Sequence, residues 1–128
     1  MAGLFRFEID GEEIPVLEVV PGRMTAEPKG ANGATVEFAT WRVAKVFDPA
    51  DTRLADLFLA FADGTRKTDA AGGGSLVYLS PNTGTEARRI DFFGFTPIRY
   101  SPGGVDTQAS GTAATEVIEL RVLRCEYQ

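Results

Sequence analysis

A single stretch of this 128-residue chain carries a helical period, while the other apolar runs alternate, so one helix must find its partner in a molecule made of strands. Between Asp48 and Gly64 (DPADTRLADLFLAFADG), Leu54, Leu57, Phe58 and Phe61 fall at i, i+3, i+4 and i+7 and share one stripe. Asp48 before Pro49 marks the start. Asp51 and Thr52 are placed to accept from the first free backbone amides, with Asp51 and Asp56 near the positive end of the dipole. Gly64 marks the stop. A helix of about three turns is not stable alone, so the stripe predicts a plug or flank against a sheet.

The strands follow from period-two runs. Leu4 to Ile9 places Phe5, Phe7 and Ile9 on one side, and Asp10-Gly11 signals a hairpin whose return strand runs from Ile14 to Val20, with Pro15 marking an edge. Ala34 to Phe47 reads as a long strand with Val36, Phe38 and Thr40 on one face. Val43 is in the opposite phase, which predicts a bulge near Trp41 to Val43 or a strand covered on both faces. Thr65 to Gly74 is a polar connection, and Gly72-Gly73-Gly74 reads as a flexible joint because no helix and no Gly-Lys-Ser/Thr follow it. Ser75 to Ser80 is a short strand with two apolar faces, followed by the turn PNTGT. Glu86 to Tyr100 puts Ile90, Phe92, Ile98 and Tyr100 in phase, with Gly94 marking a bulge or corner. Thr115 to Tyr127 closes the chain, Ile118, Leu120 and Val122 pointing one way and Val117, Leu123, Cys125 and Tyr127 the other.

About six or seven strands and no βαβ repeat mean mostly antiparallel pairing, and closing such a sheet removes its unpaired edges. The expected fold is mainly β: a small antiparallel β-barrel of two packed sheets with one flanking α-helix, a single domain over residues 1–128. The apolar residues on both strand faces exceed what one barrel interior can use, and the helix or neighbouring subunits would have to cover the surplus. Leu59, opposite the Leu54 and Phe58 stripe, is either an ordinary exposed leucine or part of such a contact. Two long loops stand out, Pro21 to Ala34 and Ser101 to Ala114. Loops of about 12 residues or more in a compact domain are binding elements or surface excursions.

Thirteen Lys and Arg against 18 Asp and Glu give a net charge of −5, which disfavours nucleic acid and anionic membranes as partners. There is no histidine, so Ser-His and Cys-His nucleophiles and nearly all zinc or iron sites are excluded, and no cofactor or metal is expected. Glu12, Glu13, Asp48 and Asp51 have turn and cap roles that compete with any carboxylate catalysis, and no serine beside Lys29, Lys45 or Lys67 stands in a catalytic context. Cys125, the only cysteine, excludes an intrachain disulfide and reads as a buried strand residue. MAGLFRFEID carries Glu8 and Asp10 where a signal peptide is apolar, and no run reaches the roughly 20 residues of a membrane helix. Synthesis in the cytoplasm without a classical route out is the expectation.

In order and spacing, the hairpin DGEEIPVLEVV, the loop PGRMTAEPKGANGA, the strand TVEFATWRVAKVF, the helix DTRLADLFLAF, GSLVYLS, NTGTEARRIDFFGF and the final VIELRVLRCEY resemble the tube protein of type VI secretion systems, Hcp or TssD, and the related tail-tube proteins of contractile phages. The resemblance implies a β-barrel subunit that forms hexameric rings stacked into a tube inside a contractile sheath. It further implies sheath, baseplate or spike, and effector proteins as partners, and export by the machine. It makes Pro21 to Ala34 the loop that reaches the neighbouring ring, with Arg23, Met24, Glu27 and Lys29 as its contact residues, and sets Ser101 to Ala114 at a ring face; Leu59 joins the subunit interface if the outer face of the helix meets a neighbour. Beside this tube reading, whether of a secretion system, a phage or an extracellular injection machine, stand a monomeric barrel binding a small ligand in an apolar cavity and an enzyme using carboxylates.

Overall fold

The structure, a computed structural model, describes residues 4–22, 26–28, 34–36, 39–103 and 114–127. The strands are β1 (Phe5–Ile9), β2 (Glu12–Glu13), β3 (Glu18–Val20), β4 (Ala26–Pro28), β5 (Ala34–Val36), β6 (Ala39–Val46), β7 (Gly73–Leu79), β8 (Glu86–Ser101) and β9 (Thr115–Tyr127), with the helix α1 (Arg53–Ala62) between β6 and β7. Seven of them form one antiparallel sheet in the order β2-β1-β7-β8-β9-β6-β3, and β4 and β5 make a separate two-stranded ribbon.

The Asp10-Gly11 hairpin forms as the sequence predicts, with both residues at positive φ (55° and 79°), the geometry of a two-residue turn matched to strand twist. The return strand departs from expectation. Only Glu12 and Glu13 pair with β1, and Ile14 N–H still donates to the Phe7 carbonyl. Pro15 then has no N–H to continue, and Leu17 N–H donates instead to Ala44 of β6 on the far side of the sheet. The segment therefore supplies both edges, β2 and β3. Laid flat, six strand spacings would hold these edges about 29 Å apart, yet three residues of chain reach at most about 11 Å. The sheet has to roll around its core, and the corner at Pro15 and Val16 closes the gap.

Inside lie Phe7, Ile9, Ile14, Trp41, Val43, Leu54, Leu76, Ile90, Phe92, Phe95, Ile118, Leu120 and Val122, all buried. Phe92 stacks on Phe7 at 5.8 Å, meets Trp41 at 4.9 Å and Phe95 edge-on at 6.0 Å. On β6 the core residues are Trp41 and Val43, in phase with each other, and Ala44 is buried on the opposite face. The pairing of β6 with β9 is continuous from Ala39 to Val46, so the strand holds no bulge at Trp41 to Val43, and of its outer face only Ala44 is buried while Thr40, Arg42 and Val46 are exposed.

The core phase of β8 does change at Gly94. Ile90 and Phe92 point inward before it, Phe95 and Pro97 after it. Gly94 has φ 68°, and a Cβ there would lie 2.6 Å from Leu123. A register shift between Pro97 and Arg99 reverses the phase again, turning Tyr100 toward the core and leaving Ile98 exposed, against the expectation that Ile98 shares the core face. The glycine triplet is also not a loose joint. Gly73 and Gly74 begin β7, where added Cβ atoms would sit 1.9 Å from the Phe92 carbonyl oxygen and 2.1 Å from that of Glu8. Only glycine lets the strands approach so closely.

α1 starts later than its sequence signals, at Arg53, and Thr52 at its N-cap makes no side-chain capping bond. Asp51 Oδ1 accepts from Arg53 N–H, Asp48 Oδ1 from Ala50 N–H, and the Thr52 hydroxyl pairs with Asp56. The aspartates thus organise the turn before the helix. Gly64 ends the element at φ 81°. Of the predicted stripe, Leu54 is buried, while Leu57, Phe58 and Phe61 pack half-buried against the core.

Replacing Gly94 by alanine combines an unfavourable φ with a clash against Leu123, and a loss of about 1–3 kcal/mol is expected. Urea denaturation of Gly94→Ala against the parent chain measures it. A neutral result would mean that β8 does not turn at this residue.

Candidate assembly surfaces and a buried ionic chain

The loop Pro21 to Ala34 contains structure of its own. β4 and β5 pair antiparallel, Ala26 opposite Val36, Glu27 opposite Thr35 and Pro28 opposite Ala34, so Glu27 occupies the middle of a ribbon strand that is not part of the barrel sheet. Arg23, Met24 and Lys29 lie outside the described residues, as does the turn Asn32-Gly33 and most of Ser101 to Ala114. Leu59 stands 57% exposed on α1, away from the buried Leu54. Of the five candidate residues only Glu27 and Leu59 fall among the described residues, Glu27 on the ribbon and Leu59 on the helix.

A further surface appears where strands end at different points. Ala39, the first residue of β6, pairs with Val122, so among the described residues Leu123 to Tyr127 have a ladder partner only in β8. Among the described residues, the start of β8 at Glu86, Arg88 and Arg89 likewise pairs only with β7. Leu123 and Tyr127, the latter 61% exposed, stand along this edge, which has no further ladder partner among the described residues. The Arg124 guanidinium covers the Phe93 ring at 4.4 Å and pairs with Glu126 at 3.2 Å. A second apolar group gathers near β3 and the end of β6, where Leu17, Val20, Val46 and Phe47 are all exposed. The sequence surplus of apolar strand faces is real, and these two places are where it emerges.

The outward face of the sheet is different. Glu18 of β3 pairs with Arg42 of β6 at 2.9 Å, Arg42 lies opposite Glu119 of β9, and Glu119 pairs with Arg99 of β8 at 3.1 Å. Charge of alternating sign thus crosses four strands. Elsewhere on the sheet Arg6 and Arg89, with Glu8, Glu86 and Asp91, lie on the strands flanking Val77, which is buried.

Sequence reasoning missed one cluster. Lys45 is 3% exposed and Glu116 1%, and their Nζ and Oε1 atoms are 3.0 Å apart. Tyr100 donates its hydroxyl to Glu116 Oε2. The Lys45 ammonium also donates to the Val46 carbonyl at 3.3 Å and lies 3.4 Å from Asp51 Oδ2. Asp51 in turn holds Arg53, which reaches Glu12 at 2.8 Å and the Glu13 carbonyl at 3.0 Å. An ionic chain runs from the barrel interior through the start of α1 to the first hairpin. The signal was present: Lys45 is in phase with Trp41 and Val43, and Glu116 with Ile118 and Leu120, opposite charges on the core faces of neighbouring strands. The Lys45 ammonium is thus engaged by Glu116, Asp51 and the Val46 carbonyl and not by a serine among these contacts.

Hydrogen bonds from Arg53 hold the Asp51 carboxyl well below the usual carboxylate range, against the cost of burial and with help from Lys45. Burial first, then the Glu116 carboxylate, push the Tyr100 phenol up to about 12. Burial also raises the Cys125 thiol, with the Trp41 side chain acting in the other direction. Among the described residues no group of His, Cys, Asp and Glu is arranged to hold a metal ion, and no helix is long and apolar enough to cross a membrane. The cavities, of about 270, 290, 440 and 500 Å³, lie beside α1 or near chain turns. None of the four is lined by Trp41, Phe92 or Leu120, whose side chains pack together in the barrel. A ligand cavity inside the barrel has no support among them.

Removing Glu116 takes the nearest counter-charge from a buried cation that keeps only Asp51 at 3.4 Å, and Glu116→Ala should cost roughly 3 kcal/mol in urea denaturation. Replacing both partners, Lys45→Met with Glu116→Leu, should recover most of that loss. Tyr100 supplies a pH test. Its folded-state value is raised, so its contribution is complete below the ordinary value of 10.0 and is lost as pH rises toward about 12. Stability measured over that window should fall, and Tyr100→Phe should flatten this part of the slope.

By sequence, no protein-family model and no curated protein matches the chain. By structure it is similar to a chain of the sheath/tube terminator of PVC, an extracellular contractile injection system, at TM-score 0.75 and 14% identity over 97% of this chain and 92% of that one. A chain of the PVC sheath-tube complex aligns at TM-score 0.71 and 15% identity, over 97% and 87%. Hcp1 from Flavobacterium johnsoniae aligns at TM-score 0.67 and 13% identity, over 98% and 94%. The chain has, nearly end to end, the mainly β, one-helix fold shared by Hcp1 and these chains of contractile injection machines.

Proposed function

We propose that this protein is a structural tube subunit of a contractile injection apparatus, assembling into rings that stack and through which or with which effectors are delivered. The observation that carries the reading is the likeness of fold over 97–98% of the chain to components of such machines and to Hcp1. The role is mechanical and not enzymatic. Within a hexameric ring, the open edge of β8 and β9 with Leu123 and Tyr127 would take a strand of the neighbouring subunit, since unpaired N–H and C=O groups beside exposed apolar side chains form a ready template for another chain. The β4–β5 ribbon, with Glu27 in its middle and Arg23, Met24 and Lys29 near it in sequence, would contact the next ring, and Leu59 a neighbour along the helix. The single domain 1–128 would form the barrel of the repeat unit. Sheath, baseplate or spike, and effector proteins are its partners in this reading, and the machine itself carries it out of the cell. The reading holds for a secretion system, a phage tail or an extracellular injection machine.

Light scattering on the purified protein, followed by negative-stain images of the same fraction, is the test. The expected result is a mass near a hexamer with annular particles. Leu123→Asp combined with Tyr127→Asp should shift that mass toward the protomer while the circular dichroism spectrum stays the same, and Leu59→Asp should weaken assembly to a smaller degree. A protein that stays monomeric at high concentration, with a deletion within Pro21 to Ala34 changing nothing, would overturn the proposal.

A further inference from the structure

α1 is fastened differently from everything around it. No backbone hydrogen bond joins residues 48–66 to the barrel sheet among the described residues. Two arginines, one at each end, grip opposite sides of the same hairpin turn. At the first residue of the helix, Arg53 binds Glu12 Oε1 at 2.8 Å and the Glu13 carbonyl at 3.0 Å while holding Asp51. Just past the last turn, Arg66 forms a two-point pair with Asp10, at 2.8 and 2.9 Å, and its guanidinium lies 5.3 Å from the Phe61 ring and 5.1 Å from that of Phe95. Two-point arginine pairs and cation–ring contacts of this kind are the stronger forms of surface electrostatics.

Between these anchors the helix is loosely seated. Only Leu54 is fully buried, and further contact with the barrel comes from half-buried Leu57 and from Phe58 against Tyr100 and Phe61 against Phe95, each at 5.9 Å. A cavity runs along either flank, one of about 290 Å³ toward Ile9 and Ile14 and one of about 440 Å³ toward Pro97 and Ile98. Both grooves remove packing partners from the helix. The sheet, by contrast, is held by ladders on nearly every strand and by the full aromatic core.

We propose that residues 48–66 form a strap that opens from the barrel as one unit while the sheet stays folded, parting Asp51 from Lys45, which lies 3.4 Å away and keeps Glu116 as its partner, with the Arg53 and Arg66 anchors setting how often it opens. Opening uncovers the side chains of Phe95 and Tyr100, together with Ile9 and Ile14, as an apolar flank. Because the arginine anchors are partly solvent-exposed, salt weakens them, and ionic strength controls the uncovered fraction. This device does not depend on the tube reading and would operate in the isolated protomer as well.

Native-state hydrogen exchange on the full chain tests it, with amides from Leu57 to Ala62 followed beside those of β8 and β9 around Phe92 and Leu120. Helix amides should exchange at least tenfold faster than the sheet amides, and several-fold faster still as salt is raised, with the sheet unchanged. Arg53→Gln with Arg66→Gln should reproduce the high-salt behaviour at low salt. Helix and sheet amides exchanging together, or rising together with salt, would overturn the proposal. The salt series on the parent chain decides the matter even if the double variant fails to fold.

Discussion

Phe92 is the side chain on which the rest of the barrel depends. Its ring touches Phe7 from β1, Trp41 from β6 and Phe95 from its own strand, so strands that stand apart in the sheet order meet at one group of rings. Such contacts require the sheet to roll, and rolling brings its two edges within reach of a few residues of chain. Proline at position 15 then lets the chain leave β1 and join β6 without abandoning an N–H. The close passage of Gly73 and Gly74 against β8 and β1, and the turn of β8 at Gly94, are local conditions of the same curvature.

The barrel end near α1 is closed by charge and not by oil. Lys45 and Glu116 are buried together with Tyr100 hydrogen-bonded to the pair, and the chain of contacts continues through Asp51 and Arg53 to the first hairpin. A buried pair of this kind adds little net stability over an apolar pair of the same size, but it does not tolerate misplacement. It therefore fixes where the helix begins relative to β6, β9 and the turn at Gly11. Arg66 does the same at the other end through Asp10. Between them, α1 is positioned by polar geometry while contributing only part of its stripe to the core.

What faces outward is divided in kind. The charge ladder Glu18, Arg42, Glu119 and Arg99 suits a surface left in water, with each cation near a carboxylate. The edge at Leu123 to Tyr127 and the apolar group around Leu17, Val46 and Phe47 suit contact. A filled interior with apolar excess at a strand edge is the physical make-up that the proposed assembly requires.

Much of this was legible in residue patterns. Period-two alternation located β1, β7, β8 and β9, since one face of each had to be buried, and the i, i+3, i+4, i+7 stripe located the helix, because both signals are local and need no partner to be read. The Asp10-Gly11 turn was equally legible, as its backbone geometry is a property of those two residues. Order and spacing also carried the likeness to tube proteins, to which comparison of sequences alone gave no match. The split of the return strand between β1 and β6 depends on distances across a rolled sheet, which no local pattern encodes. The phase reversals at Gly94 and Ile98 depend on how β8 bends against Leu123. The pairing of Lys45 with Glu116, 71 positions apart, and the stretch of β9 from Leu123 to Tyr127 that has a ladder partner only in β8 among the described residues, exist only once strands are side by side. Periodicity along the chain determined which residues could be inside; only the closure of the sheet decided which of them meet, and which stand at an edge.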